Sequence, residues 1–315
     1  MKDVLKKIVT RLLPLSIRRK LFHPMIVPTD YRDEIELAET VLSWRASKNN
    51  LDDAFWSAEL RKFAHILDKG LQRCDCEPGH SSDFFKQAKD CLMEIKSPEY
   101  LNDDSVNWAK EIISSYEKFQ AEDKQASGCE EFKEANCNFA QIDSLIKTRR
   151  SIRDFQNKPI QRADLRKIAQ SMKWAPSSCN RQTSKIFIVD DPKLIESCIE
   201  NNSGATCFSH KPPCFMSFCA DLRPYLMPQE MILPVLDTAL GIQNCALVAH
   251  SLGLGMTILN WTHHSRQQDL ALRKLLKIPS HYRIVANALL GWPGHGAPTP
   301  VRKSDFNAYT FVEGE

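Results

Sequence analysis

Arg149-Arg150-Ser151-Ile152-Arg153-Asp154-Phe155 places three guanidinium groups and a hydroxyl within five residues, directly after a short helical stretch over Ile142–Thr148. If that helix continued, Arg149 and Arg153, four apart, would share a face while Arg150 pointed elsewhere. Arginine offers planar, paired donors that match phosphate or carboxylate oxygens, and serine adds one more donor. The stretch therefore reads as a seat for a small anionic group. The competing reading is a solvated basic face, which is how most charge runs are used.

Further stretches stand in order along the chain. Residues 175–182 read Ala175-Pro176-Ser177-Ser178-Cys179-Asn180-Arg181-Gln182. Asp237 leads into Gly241-Ile242-Gln243-Asn244, and Leu252-Gly253-Leu254-Gly255 comes soon after. Near the end stand Leu290-Gly291-Trp292-Pro293 and Pro300-Val301-Arg302-Lys303. In this order and spacing the series resembles the FMN-dependent nitroreductase family, over about residues 141–305.

The resemblance implies an α+β fold with a central mixed sheet flanked by helices, and a homodimer with FMN at the subunit interface. It implies that Arg149, Arg150, Ser151, Arg153 and, from the far end of the chain, Arg302 hold the FMN phosphate, with Lys303 beside Arg302. The loop Pro176, Ser177, Ser178 and Asn180 would reach the flavin ring of the partner subunit. Asn260 and Trp261 would bring their main chain near flavin N5. Two departures concern the substrate face. Relatives usually continue the loop as Gln-Pro-Trp, whereas Gln182 here is followed by Thr183-Ser184; many carry Glu-Gly where this chain has Asn260-Trp261. A bulky Trp261 would restrict access to N5, unless its ring packs in the core.

Composition sets outer bounds. The chain has 315 residues, 43% hydrophobic and 26% charged, which suits a globular protein with a sizeable core. A net charge of +3 is too small to point to nucleic acid. The 11 cysteines are scattered, as reduced thiols in the cytoplasm would be. Cys74-x-Cys76 with His80 matches no common zinc spacing, so no metal is expected.

Residues 1–28 form a basic segment with Val4, Leu5, Ile8, Val9, Leu12 and Leu13 on one helical face. Such a helix suits either an anionic membrane surface or packing against protein. Residues 29–125 read as helices (Glu34–Ser47, Asp53–Leu71, Ser82–Lys96, Asp103–Lys124), enough for a small all-α bundle. Within it, His65, Asp68 and Lys69 share a helix face and either look toward the flavin or a substrate or form an ordinary polar helix end. Residues 126–140 lose the apolar period and read as a linker. From 141 to 315 helices and strands alternate: strands at 185–189, 214–219, 255–259 and 283–290, and a long helix over Gln229–Leu252 that is apolar nearly all round and so is expected to be buried. Gln243 and Asn244 on that helix either face the flavin or, the favoured reading, pair across a helix interface.

The functional expectation is an FMN-dependent NAD(P)H oxidoreductase serving an unidentified small-molecule acceptor, one setting being a biosynthetic pathway such as surface-polysaccharide synthesis. No acid, base or nucleophile constellation is evident, in keeping with chemistry carried by a flavin. No G-x-G-x-x-G follows a strand, which argues against a Rossmann domain. The alternative is an interaction or assembly module, with or without flavin, that does not turn over.

Overall fold

The computed structural model describes residues 32–47, 51–73, 76–122, 133–202, 204, 212–262, 264–312 and 314. The basic segment 1–28, residues 126–132 of the expected linker, and Cys74 lie outside them.

The N-terminal helices are α1 (Arg32–Ala46), α2 (Asp53–Leu71), α3 (Ser82–Glu94), a single turn α4 (Pro98–Leu101) and α5 (Asp104–Glu122). Helix α2 starts where Asp52 accepts the Phe55 N–H at 3.0 Å, the capping interaction for which a helix start selects Asp. Asp53, in the first turn, accepts the main-chain N–H groups of Lys96 and Ser97 at 2.9 and 2.7 Å, pinning the end of α3 to the start of α2. Leu60, Phe63, Ala64 and Leu67 recur at helical spacing on α2 and close a core with Ala88, Cys91, Val106, Ala109 and Ile113. Helix α1 packs elsewhere: Ala38 and Val41 meet Leu222, Tyr225 and Met231.

Beyond residue 133, the helices are α6 (Phe139–Thr148), α7 (Arg162–Met172), α8 (Pro192–Glu200), α9 (Leu233–Ser251) and α10 (Arg266–Leu276). The strands are β1 (Ser184–Val189), β2 (Cys214–Asp221), β3 (Gly255–Leu259) and β4 (Tyr282–Gly291). They form one sheet in the order β1-β2-β4-β3. Every strand pair is antiparallel. The mixed character expected of the sheet is confined to a single parallel bridge, Ser151 to Met256.

All eight residues of β2 are buried, so both faces of the sheet are covered. On one face Phe215, Cys219 and Leu289 pack with Ile195, Leu272 and Leu276 of α8 and α10. On the other Met216, Phe218 and Leu290 pack with Ile168, Met172, Ile242 and Cys245 of α7 and α9. The approach of α7 to α9 requires Gly241: a Cβ there would lie 2.6 Å from Met172 Cγ. Asn244 donates to the Ser171 carbonyl at 3.2 Å across that same contact, the interface role expected of it.

Residues 228–251 are long and apolar enough to cross a membrane by length and composition. They form a 3-10 turn (Pro228–Ile232) followed by α9, whose inner side is buried against α7 and the sheet. Its outer side exposes Leu236 and Leu240, 51% and 49% accessible, in line with Ile232. Helix α6 likewise exposes Phe139, Ile142 and Ile146.

Candidate functional site

The helix preceding the arginine cluster ends sooner than a shared Arg149–Arg153 face requires. Thr148 is the last residue of α6, and Arg149 turns to φ −57°, ψ 134°. From there the chain runs extended, threaded against the sheet. Ile152 N–H donates to the Met256 carbonyl at 3.4 Å, Gln156 N–H to Trp292 at 2.9 Å, and Gly294 N–H to Asp154 at 2.9 Å. Ile152 lies so close to Gly255 that a Cβ there would meet its Cγ1 at 2.4 Å. The second glycine of the Leu-Gly-Leu-Gly motif is therefore the space in which the basic segment docks.

This docking brings the two distant basic stretches toward one another. Arg150 Nη1 donates back to the Lys147 and Arg149 carbonyls, and Arg150 Nη2 to Thr299 Oγ1 at 2.9 Å, three residues before Arg302. Arg150, Thr148, His250 and Thr299, with Gly253 and Gly296, line a cavity of about 440 Å³. No residue lining it carries a carboxylate. His250 Nε2 meets Thr148 Oγ1 at 2.9 Å. Burial, and then the charges of Arg149 and Arg150, hold its pKa below the usual histidine range. Arg153 and Arg302 are exposed, and neither has a hydrogen-bond or ion-pair partner among the described residues. Ser151 forms the bridge to Met256 and is half-buried. A carboxylate-free cavity with one lining guanidinium, Arg150, and two hydroxyls suits a phosphate-sized anion.

The loop at 176–182 is held in a sparsely populated conformation. Cys179, Asn180 and Gln182 have φ of 53°, 53° and 52°, the left-handed region that disfavours residues with a Cβ. Three contacts hold it there. Asp237 accepts the Ser178 N–H at 2.8 Å and its hydroxyl at 2.9 Å. Arg181, 2% exposed, pairs with Glu230 at 2.6 Å and stacks over Tyr225. Arg61, on α2, donates to the Arg181 carbonyl from Nε and Nη2 at 3.1 and 2.9 Å. Inside the loop, Gln182 donates to Ser177 Oγ at 3.1 Å and to Asn180 Oδ1 at 2.8 Å. The Ser178 hydroxyl is thus consumed by Asp237. The Ser177 hydroxyl proton and the Asn180 amide nitrogen remain to donate outward, with no acceptor among the described residues. Pro176 lies at the entrance of this loop and lines a small cavity of about 210 Å³ with Met172 and Asp237.

At the end of β3, Trp261 is 4% exposed and packs with Phe155, Leu259 and Leu272. Its ring stacks on His264 at 4.3 Å. The indole therefore belongs to the core and does not present its bulk at a surface. The Asn260 side chain is turned back onto Thr262, accepting from its N–H and hydroxyl at 2.9 and 2.7 Å. The Asn260 carbonyl receives Asn202 Nδ2 at 3.4 Å, and Asn202 in turn receives Asn287 at 2.7 Å. A buried amide relay from the sheet thus sets the main chain at residue 260.

His65, Asp68 and Lys69 are not brought to any of these sites. Asp68 accepts from Gln72 at 2.9 Å, and burial, then Lys69, lowers the His65 pKa. It is another side of α2 (Ala54, Ser57, Ala58, Arg61) that lines a cleft of about 880 Å³ together with Lys173, Asn180 and Gln182. Sequence reasoning missed Arg61. The available signal was its spacing of three and four from Ser57, Ala58 and Ala64, which are buried positions.

The class defined by this geometry is an α+β protein whose sheet carries an anion cavity at one end and a tethered, strained loop at the other. Comparison with known proteins narrows the class. The nitroreductase family profile matches residues 146–205 and 202–292. A Salmonella typhimurium oxygen-insensitive NADPH nitroreductase is 29% identical over 158 residues, covering 47% of this chain and 64% of that enzyme. An Archaeoglobus fulgidus protein carrying the name NADH dehydrogenase/NAD(P)H nitroreductase is 30% identical over 152 residues, covering 47% of this chain and 83% of that one. Among solved structures, an FMN-dependent nitroreductase from Clostridium difficile aligns with a TM-score of 0.48 at 22% identity, over 55% of this chain and 99% of that one. The chain belongs to the nitroreductase family.

Proposed function

We propose that this protein is an FMN-dependent oxidoreductase: NAD(P)H and a proton are consumed and a small-molecule acceptor gains two electrons. The observation that carries the reading is the cavity where Arg150 meets Thr299, cationic and without a carboxylate. Its donor set fits the phosphate of FMN. Relatives point the same way: a Bacillus subtilis protein 25% identical over 159 residues is named FMN reductase [NAD(P)H].

Bound FMN would supply the hydride relay. The chain's own residues bind and orient. Arg149, Arg150, Ser151, Arg153 and Arg302 hold the phosphate. Ser177 and Asn180 donate to the flavin edge of a partner subunit, with Pro176 and Ser178 shaping the loop. The main chain of Asn260 and Trp261 would approach the flavin's N5. The homodimer this requires would bury the apolar stripes of α6 and α9, since Phe139, Ile146, Leu236 and Leu240 are exposed in the single chain. We place the boundary between a helical part (29–125) and the flavin-binding part (141–315) at 126–140. A cytoplasmic setting accords with eight free thiols among the described residues. Contact of segment 1–28 with a membrane belongs to the same proposal.

The alternative, an interaction module without turnover, drew on Thr183-Ser184 in place of Pro-Trp and on Asn260-Trp261 at N5; an indole packed in the core weakens the second ground. The test is a visible absorbance spectrum of the purified protein after desalting, before and after NADH or NADPH. Retained flavin that bleaches supports the enzyme. A colourless protein that rejects added FMN refutes it.

A further inference from the structure

The cleft of about 880 Å³ between the N-terminal helices and the 176–182 loop takes no part in holding the FMN phosphate. Its volume is that of a typical small-molecule site. On its wall lies Arg61, 8% exposed. Burial lowers the Arg61 pKa to about 10, which leaves it cationic at neutral pH. Its hydrogen bonds go to the Arg181 carbonyl, twice, and to Ser105 Oγ. None goes to a carboxylate, and among the described residues it has no ion pair. Asp103 acts on it by charge and through the Ser105 hydroxyl, without a direct bond. A guanidinium has five N–H groups, so the three bonds leave donors to spare. A buried cation with no direct ion pair is costly, and an anion supplied by a ligand would offset that cost.

The rest of the lining agrees in sign and shape. Lys173 and Lys185 are exposed on the same cleft. Lys173 has no partner among the described residues, and Lys185 only overlies the rings of Phe187 and Tyr282. Of the acids there, Asp221 is neutralised by Arg223 at 2.6 Å; Asp103, which accepts from Ser105, and Asp104 at the start of α5 remain, two carboxylates against the three cations Arg61, Lys173 and Lys185. Tyr100, Trp108 and Trp174 add flat apolar faces, Trp174 being 80% exposed.

We propose that this cleft binds the electron acceptor, and that the acceptor is an organic carboxylate with a planar unsaturated body, its anion on Arg61 and its ring against Trp108 and Tyr100. This rests on the flavoenzyme reading, because Asn180 and Gln182 of the flavin-edge loop border the same cleft. Arg61 then has two tasks, the loop carbonyl on one side and the ligand's anion on the other.

The test is isothermal titration of the full-length protein, as purified with its FMN, with naphthoate, with naphthylmethanol, and with adenosine diphosphate. Naphthoate is expected to bind about tenfold or more tighter than the alcohol, the scale of one charge-assisted hydrogen bond. Arg61→Gln should abolish that preference and Arg61→Lys should restore part of it. Since Arg61 also holds the loop, the exposed Lys173→Glu is the check that leaves the fold alone: it should weaken naphthoate a few-fold and leave the alcohol unchanged. Equal affinity for acid and alcohol, a preference that survives both Arg61→Gln and Lys173→Glu, or tighter binding of adenosine diphosphate than of naphthoate would overturn the proposal. A protein that binds naphthoate but never FMN would defeat the flavoenzyme reading instead, and with it the acceptor role.

Discussion

Replacing Asp237 tests what holds the 176–182 loop. The carboxylate is 8% exposed and accepts two bonds from Ser178, N–H at 2.8 Å and hydroxyl at 2.9 Å, while the Tyr225 hydroxyl approaches at 3.3 Å. A hydrogen bond to a charged group contributes about 1.5–3 kcal/mol net. In Asp237→Ala the Ser178 N–H loses its acceptor outright. Its half-buried hydroxyl can turn to water, and Tyr225 keeps Thr183 at 3.0 Å. One full loss and one partial loss come to about 3 kcal/mol of unfolding free energy. Asp237→Asn preserves the geometry: its carbonyl oxygen can take the N–H and its amide can donate to the hydroxyl oxygen, so the cost is about 1 kcal/mol. The assay is urea denaturation at neutral pH, followed by FMN retention on desalting, which should fall in the Ala variant and persist in the Asn variant. If Ala is within about 0.5 kcal/mol of the parent, the loop is not held by Asp237, and the reasoning fails. If Asn costs as much as Ala, the charge matters and the bond geometry does not.

Three further outcomes are expected. Cys179→Gly should raise stability by about 0.5 kcal/mol, because relief of a left-handed Cβ clash of about 1–2 kcal/mol exceeds the added unfolded-state entropy of glycine; a lower melting temperature would contradict the φ of 53°. Trp261→Ala should cost about 3–5 kcal/mol and Trp261→Phe much less, as for any buried core aromatic, and neither should open a new reductase activity; a near-neutral Ala variant would place the indole on the surface. Acid should loosen the join between α2 and the sheet: burial raises the Asp52 pKa, but the hydrogen bonds from Arg223 and Phe55 N–H prevail and leave it lowered. Its stabilisation is therefore present above the unfolded carboxylate pKa of about 3.9 and is lost as pH falls through the lower folded value. With that side chain 56% exposed, solvent screening holds the effect to under about 1 kcal/mol, so Asp52→Asn should trail the parent slightly at pH 7 in chemical denaturation and converge with it in strong acid.

The elements were legible where one periodic signal dominates. Helix α2 runs over the Asp53–Leu71 range that its apolar spacing predicts, because Asp52 marks a start that no neighbouring signal contradicts. Helix α9, apolar nearly all round and so expected to be buried, is core on one side only in the single chain; its exposed Leu236 and Leu240 could not be told from its buried Ile242 and Cys245 without knowing where the sheet lies. The basic segment was legible as chemistry but not as conformation. Nothing in Arg149-Arg150-Ser151 breaks a helix, and it is the pairing of Ile152 with Met256, over a hundred residues away, that pulls the chain straight. Arg61 was hidden for the opposite reason, since a guanidinium on a helix is ordinarily a solvated one.

The loop at 176–182 shows why the N-terminal helices and the sheet act together. Left-handed backbone at Cys179, Asn180 and Gln182, all of which carry a Cβ, amounts to several kcal/mol of strain. No single contact in a solvated loop offsets that much. The tethers come from three separate places: Asp237 on α9, Glu230 in the turn before it, and Arg61 on α2. Two of these belong to the family-matched part of the chain; the third does not, and it reaches the loop only because α2 is itself fixed to the sheet, Asp52 binding Arg223 at 2.9 Å while Arg223 grips Asp221. Disturbing α2 should therefore be felt first at the loop and only second in the helical core, so that Arg61 and Asp52 variants change the loop's conformation at temperatures where the Leu60–Ile113 core is still intact.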